Sequence, residues 1–312
     1  MQDKRGRSRQ ENTAAHIFQR AKSGFVVFYN VKDSLVFLTL LSTVAERLEA
    51  KVISLCLMYN HIHILLETAD AGLVRTFVRD LISSYARIYN KRYGLSGELF
   101  DRHGVSFKRG DKAIRTALAY VNNNPVEDRI CRRAENWRWN FLSYNVPGAH
   151  PYSEKIVLAA ASRRLRRAVG MVRHLRSSGI PPTYEALDKI LAPLTQTEKQ
   201  QVTDLIINEY LPVDQARASW FYGGYKEMLA AFAVNTGNEY DIVEPFDPHS
   251  GLAYKKMVNY LAAAHPSTTI GDITRLPMNI QSDFLAEFVR KCEVKLCHAR
   301  KFLHLPDDPL GR

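Results

Sequence analysis

The sequence contains little cysteine, and its few thiols are far apart. Cys56, Cys131, Cys292 and Cys297 form no CxxC pair within the 312 residues. This spacing argues against a disulfide framework and against a structural zinc site, and it favours a reducing cytoplasm. The HExxH helix of zinc proteases is also missing.

Long apolar runs are absent as well. No run approaches the roughly 18 residues that a membrane helix needs, so we expect no membrane partner. The basic first residues, MQDKRGRSRQENTAA, have no apolar segment behind them, and we therefore expect no secretory signal. With 46% hydrophobic residues the chain can still build ordinary cores, and its length is enough for two domains.

Positive charge is concentrated in the first half of the chain. The net charge is +11, and residues 1–150 contain 23 Lys and Arg against 14 Asp and Glu, whereas the remainder contains 20 against 18. A basic domain favours a polyanionic partner, most often nucleic acid. A basic surface without a partner is the alternative, and charge alone does not choose between DNA and RNA.

Alternating patterns in the first half predict an α+β fold. We expect extended segments at 14–29, 51–58, 61–67 and within 98–110, and helices at 33–50, 72–94 and 111–125. This order suits one antiparallel sheet with helices packed on it, as in ferredoxin-like folds.

Local signals set the expected ends of these elements. Asp33 or Ser34 should cap the first helix. The third should stop near Asn123 or Asn124, because the residue before Pro125 resists the α conformation. Trp137, Trp139 and Phe141 are expected to cover an open edge of the core.

Turn-forming residues predict a domain boundary, marked by Pro147, Gly148 and Pro151. We expect a basic flexible tail at 1–13, the α+β domain at 14–148 and a helical domain at 149–312. Its helices are expected over 153–178, 184–193, 196–210, 214–233, 250–264, 279–291 and 294–303.

Two histidines stand one residue apart in an apolar run. The stretch LMYNHIHILLE covers residues 57–67, and in a strand His61 and His63 share one face while Ile62 and Ile64 enter the core. Two adjacent imidazoles suit one divalent ion. Taken alone, the pattern favours two half-buried histidines that hydrogen-bond to backbone or water.

A catalytic metal site needs a third ligand and an open position. Glu67 has the strand parity of the histidines but lies further along. Asn124 stands at the end of the helix that begins at Asp111, and Tyr120 lies four residues earlier, so both project from one helix face. Nothing in the residues alone singles out Tyr120 among 15 tyrosines, and NNNP is also a helix terminator.

Several ordered motifs together resemble a known family. After CLMYNHIHILLE come SSYARIYNKRYG, GELFDRHGVSFKRGD, LAYVNNNPVEDRI and WRWNFLSY. This order is similar to the single-tyrosine HUH transposases, and closest to the REP-associated tyrosine transposase branch of the IS200-like transposases. The resemblance covers about residues 14–145. Tyr59 replaces the usual proline of that family, and VEDRI replaces a more basic segment.

The resemblance implies an HUH endonuclease domain and its mechanism. His61, His63 and Asn124 would hold Mg²⁺ or Mn²⁺, and the two imidazoles make Mn²⁺ at least as suitable. Tyr120 would attack the scissile phosphate and form a 5′-phosphotyrosine link with a free 3′-OH. Because the link conserves the phosphodiester energy, rejoining would need no ATP.

The implied substrate is single-stranded DNA, cleaved and rejoined at palindromic hairpins. Basic side chains of the domain and its tail are expected to contact phosphates, and a solvated charge is the alternative for each. These are Arg75, Arg79, Arg87, Lys91, Arg92, Arg102, Lys108 and Arg109, with Lys4, Arg5, Arg7 and Arg9 in the tail. A second basic cluster, RRLRRAVGMVRHLR at 163–176, is equally compatible with DNA binding and with an exposed helix face.

Residues 279–304 resemble the first two helices of a helix-turn-helix, but DDPLGR follows where a recognition helix is expected. We therefore expect an incomplete helix-turn-helix. Two other functions stay open: a non-catalytic DNA-binding regulator, and a metal nuclease that uses water. The sequence does not choose between a monomer and a homodimer.

Overall fold

A four-stranded antiparallel sheet organises the first half of the protein. The computed structural model describes residues 12–144, 152–234 and 250–306. The spatial strand order is β2-β3-β1-β4. The expected α+β fold is confirmed, with strands β1 (Thr13–Arg20), β2 (Val52–Leu57), β3 (His61–Leu66) and β4 (Gly104–Arg109).

Helices cover both faces of this sheet. Helices α1 (Val31–Arg47) and α2 (Ala71–Tyr93) pack together on one face, over Ile17 and Ile62. Helix α3 (Gly110–Glu127) lies on the other face and contacts all four strands. Because side chains alternate along a strand, the neighbours of these isoleucines point toward α3.

The start of α1 differs from the expectation. Asn30 is its N-cap, where Asp33 or Ser34 was expected. The Asn30 carboxamide oxygen accepts from the backbone N–H of Asp33, and the Asp33 carboxylate accepts from the N–H of Asn30. This reciprocal pair is a capping box, which places Asp33 inside the helix.

The end of α3 also differs. The helix does not stop before Pro125 but continues to Glu127. Residues 117–125 are all buried, so packing outweighs the local preference of the residue before proline. The backbone N–H of Asp128 donates to the carbonyl of Asn124 at 3.0 Å, which restores the helical hydrogen bonds beyond the proline.

Helices follow in the second half, as expected, with three differences. One helix begins at Arg163 instead of residue 153, a break at Gly223 and Gly224 divides the helix expected at 214–233, and a short helix at Ile270–Ile273 was missed. Among the described residues, no helix is both long and apolar enough to cross a membrane. The helices are α4 (Arg163–Ser177), α5 (Tyr184–Leu191), α6 (Gln196–Tyr210), α7 (Gln215–Trp220), α8 (Tyr225–Val234), α9 (Ser250–Ala264), α10 (Ile270–Ile273), α11 (Met278–Cys292) and α12 (Leu296–Phe302).

Helices α11 and α12 are the pair that resembles part of a helix-turn-helix. They pack on each other and on α9. Helix α12 also reaches the first half, since the Tyr29 hydroxyl donates to the carbonyl of Phe302 at 2.5 Å. The expected boundary at Pro147, Gly148 and Pro151 lies outside the described residues, as do the basic residues of the tail.

A buried carboxylate joins the helical region to the sheet domain. Tyr93 and Tyr184 donate to one oxygen of Asp33 at 2.7 and 2.8 Å. The backbone N–H groups of Tyr29 and Asn30 donate to the other oxygen, each at 3.0 Å. Burial nevertheless raises the pKa of Asp33 to about 6. Helices α1, α2 and α5 therefore meet at one polar contact inside the core.

The free edge of β2 is covered by later parts of the chain. Val213 forms a parallel bridge with Val52, and the N–H of Asp214 donates to the Val52 carbonyl at 2.9 Å. The indole N–H of Trp137 donates to the carbonyl of Leu57 at 2.9 Å. These bonds satisfy backbone groups that an open edge would leave available for another chain.

Candidate active site

The strand pair β1 and β3 presents five polar or aromatic side chains toward α3, among them His16, which is described below. Arg20 lies directly opposite His61, and Phe18 lies directly opposite His63. Residues opposite each other share one face of the sheet. Both histidines are almost fully buried, with 1% and 0% exposure, so this face is covered.

Helix α3 brings Tyr120 and Asn124 against these histidines. The Tyr120 ring stands edge-on to His63 and to His16, with centroid distances of 5.5 and 5.8 Å. The carboxamide oxygen of Asn124 lies 3.1 Å from Nε2 of His61. His61 and His63 of β3 therefore meet Tyr120 and Asn124 of α3 between the sheet and the helix. About 60 positions in sequence separate the two pairs.

The three consecutive asparagines of α3 contact three different elements. Asn122 donates to the hydroxyl of Ser54 on β2 at 3.0 Å. Asn123 donates to the carbonyl of Phe232 on α8 at 2.9 Å. Asn124 faces β3, so the NNNP stretch does more than end a helix.

The contacts of His61 place two electron pairs face to face. Its Nδ1 lies 2.8 Å from the oxygen of Asn60, whose amide nitrogen is committed to the carbonyl of Gly24. Nδ1 must therefore carry the proton, which leaves a lone pair on Nε2. The Asn124 oxygen that faces Nε2 is also an acceptor, since the Asn124 amide nitrogen donates to the Tyr120 carbonyl at 3.4 Å. Two acceptors at 3.1 Å fit a shared cation.

His63 is supported by a histidine that the sequence did not single out. Nε2 of His16 lies 3.1 Å from Nδ1 of His63, and the two rings stack at 5.3 Å. Nε2 of His63 is buried and has no hydrogen-bond partner among the described residues. In the sequence, the alternation along β1 indicates only that His16 shares a strand face with Phe18 and Arg20. The register with β3 is needed to show that this is the face of His61 and His63.

Burial keeps all three imidazoles neutral. Desolvation lowers the pKa of His16 to about 4, with a smaller effect from Lys108. Desolvation also lowers the pKa of His61 to about 4. The contact with Asn124 opposes this shift, and Arg20 adds a smaller lowering. The pKa of His63 falls well below its ordinary value, from burial first and then from the neighbouring His61 and His16. Neutral imidazoles are the form that ligates metals.

The donor set fits a divalent cation only when Asn124 is included. No group of three His, Cys, Asp or Glu side chains within the described ranges is arranged to hold a metal. The lone pair of His61, the orphaned Nε2 of His63 and the Asn124 oxygen supply two nitrogens and one oxygen. Such a mixed set suits Mn²⁺ and accommodates Mg²⁺.

The predicted phosphate contacts are divided between the two faces. Lys108 on β4 pairs with Ala14 and lies on the α3 face. Arg109 ends β4 as the N-cap residue of α3, and Arg102 is exposed in the loop before β4. Arg92 is engaged by Asp188 of α5. Five of the eight residues lie on α2, across the sheet from His61: Arg75, Arg79, Arg87, Lys91 and Arg92.

The four-stranded antiparallel sheet with its packed helices is consistent with the fold of a DNA transposase domain. Residues 9–124 match the model of a family described as "Transposase IS200 like". That part of the chain belongs to the IS200-like, single-tyrosine transposase family, as the motifs predicted. The matched range ends at Asn124 and includes the whole site. No curated protein matches the chain. The family indicates a DNA-cleaving enzyme of transposition and recombination.

Proposed function

We propose that this protein cleaves and rejoins single-stranded DNA at palindromic hairpins through a 5′-phosphotyrosine intermediate. The observation that carries the proposal is the convergence of Tyr120 with two neutral imidazoles and the Asn124 oxygen in one buried site. The hairpin preference rests on the family resemblance, and the basic first half of the chain supports a DNA substrate.

Tyr120 is the proposed nucleophile. Its phenol oxygen would bond to the scissile phosphorus as the phenol proton leaves, and the bond from phosphorus to the 3′ oxygen would break. The departing 3′ oxygen takes up a proton and becomes a free 3′-OH. The edge-on packing of Tyr120 against His63 and His16 fixes the ring, so the hydroxyl starts from a defined position.

His61, His63 and Asn124 are the proposed ligands of Mg²⁺ or Mn²⁺. When bound, this ion would neutralise charge that develops on the scissile phosphate. Asn60 fixes the proton of His61 on Nδ1, and His16 supports the ring of His63. These outer contacts orient the two imidazoles, as is common around metal ligands.

A covalent adduct tests the proposal directly. The protein is incubated with end-labelled hairpin DNA and Mn²⁺, and an SDS-resistant protein–DNA adduct is expected. Tyr120→Phe should abolish the adduct, since it removes only the nucleophilic oxygen. Tyr210→Phe is the matched control, because it deletes a phenol hydroxyl that donates to Ile180 in the helical region. An adduct formed by Tyr120→Phe would exclude Tyr120 as the nucleophile.

Removal of the metal gives a second test. EDTA, and separately His61→Ala and His63→Ala, should each abolish the adduct while hairpin binding persists. Cleavage that survives these changes would contradict the metal site. Cleavage products without attached protein would instead indicate a nuclease that activates water.

The burial of the site favours a second candidate, a non-catalytic hairpin-binding protein. Tyr120 is 7% exposed, and the histidines are more buried still, so a phosphate reaches them only after local opening. This candidate predicts tight hairpin binding that is independent of metal and yields no adduct. The same assay therefore separates the two functions.

A further inference from the structure

Arg20 is a partly buried arginine beside the histidine pair. It is the last residue of β1 and lies directly opposite His61, on the face that meets α3. Its guanidinium carbon stands 5.9 Å from the centroid of the Phe18 ring. The side chain is thus directed along the face that carries the histidines.

The guanidinium of Arg20 lacks an anion. Its Nε is buried and has no hydrogen-bond partner, and the side chain makes no ion pair with a carboxylate in the described part of the chain. Asp101, whose backbone N–H donates to the Arg20 carbonyl, forms an ion pair with Lys22 at 3.5 Å. A buried donor without an acceptor destabilises the folded state, so this arrangement does not serve stability.

On this face Arg20 has a cation–π contact with the Phe18 ring at 5.9 Å, and no carboxylate of the described residues forms an ion pair with it. Its neighbours on this face are the neutral imidazole of His61 and the ring of Phe18, and its charge disfavours protonation of that imidazole. A cation held by the histidines would add to the repulsion. An anion that sits beside both charges removes the conflict, and guanidinium binds phosphate through two parallel N–H bonds.

We propose that Arg20 binds a non-bridging oxygen of the scissile phosphodiester. This inference rests on the proposed function, which brings that phosphate to His61, His63 and Tyr120. Arg20 would stabilise the negative charge on the phosphate from the β1 side of the site. The sequence alone does not single out Arg20, because its position opposite His61 follows only from the strand register.

The first test measures anion binding without any metal or turnover. Arginine Nε–H resonances are followed by NMR during titration with inorganic phosphate, and the Arg20 signal is assigned by its loss in Arg20→Gln. We expect the Arg20 resonance to shift saturably, while that of exposed Arg290 on α11 does not. An Arg20 signal that does not respond to phosphate overturns the proposal.

The second test measures the rate of adduct formation at saturating hairpin DNA. Arg20→Gln should slow it by about 10²–10³-fold, the usual effect of losing one donor to transition-state charge. Arg20→Lys should recover part of the rate, and Arg290→Gln should leave it unchanged. A rate for folded Arg20→Gln within twofold of the unmodified protein also overturns the proposal. If the unmodified protein forms no adduct, the proposed function fails, and the phosphate titration still decides the role of Arg20.

Discussion

Nε2 of His16 lies 3.1 Å from Nδ1 of His63, so a histidine of β1 supports a histidine of β3. For His63 to offer its buried Nε2 as a ligand, its proton must reside on Nδ1 and be donated to His16. The contact with His16 accommodates this tautomer of His63, in which His63 is the donor. This relationship assigns His16 a positioning role next to the proposed metal site.

Replacement of His16 tests that role. We expect His16→Leu to weaken Mn²⁺ binding about 10–100-fold, the usual effect of losing a partner of a metal ligand. The affinity is measured from free Mn²⁺ by EPR, with the exposed His174→Gln as control. The ¹⁵N shifts of His63 in metal-free protein should show a proton on Nδ1, and a mixture of tautomers in the variant. Equal affinities for His16→Leu and the control would contradict the assignment.

The buried imidazoles should titrate at unusually low pH. His16 and His61 have pKa values of about 4, against about 6.5 for an unperturbed histidine. The unfolded chain therefore binds more protons between pH 4 and 6.5, and the stability contributed by these groups is lost as the pH falls through that window. NMR titration of the metal-free protein should give midpoints near pH 4. Midpoints near 6.5 would show that the site is open to water.

Asp33 should have the opposite pH dependence. Its folded pKa of about 6 lies above the ordinary aspartate value of 3.8, so the folded state binds more protons between these values. This contribution to stability therefore falls as the pH rises from 4 to 6. Asp33→Asn does not titrate. The stability advantage of the unmodified protein over this variant should be larger at pH 4 than at pH 7, by up to about 3 kcal/mol for two pKa units. Urea denaturation at the two pH values measures it, and a constant difference would refute the prediction.

Arg217 should stabilise the segment that covers the edge of β2, where Val213 and Asp214 bind to Val52. Its Nε donates to Glu67 at 2.8 Å, and its guanidinium lies 4.4 Å from the ring centroid of Trp220. We expect Arg217→Ala to lower the free energy of unfolding by about 2 kcal/mol, because the charged hydrogen bond is partly buried. Arg217→Lys, which keeps the charge but not the planar contact, should cost less. A double-mutant cycle with Glu67→Gln isolates the pair, and a coupling energy near zero would rule out this account.

The strands and most helices could be predicted from the sequence, because the periodicity of apolar residues reflects which side chains are buried. The proximity of Tyr120 and Asn124 could also be predicted, because residues four positions apart lie on the same face of a helix. His16 and Arg20 were missed because their proximity to β3 depends on register between strands far apart in the chain. The end of α3 was misjudged because packing of residues 117–125 outweighs the local effect of Pro125.

The three asparagines of α3 restrict how that helix can move. Asn122 is bound to β2, Asn123 to α8 and Asn124 faces His61, so rotation of α3 about its axis breaks contacts in three directions at once. These contacts fix the angular position of α3 and, with it, that of Tyr120. Because Asn123 ties α3 to Phe232 of α8, a displacement of α3 that exposed the proposed nucleophile would either break this hydrogen bond or carry α8 with it.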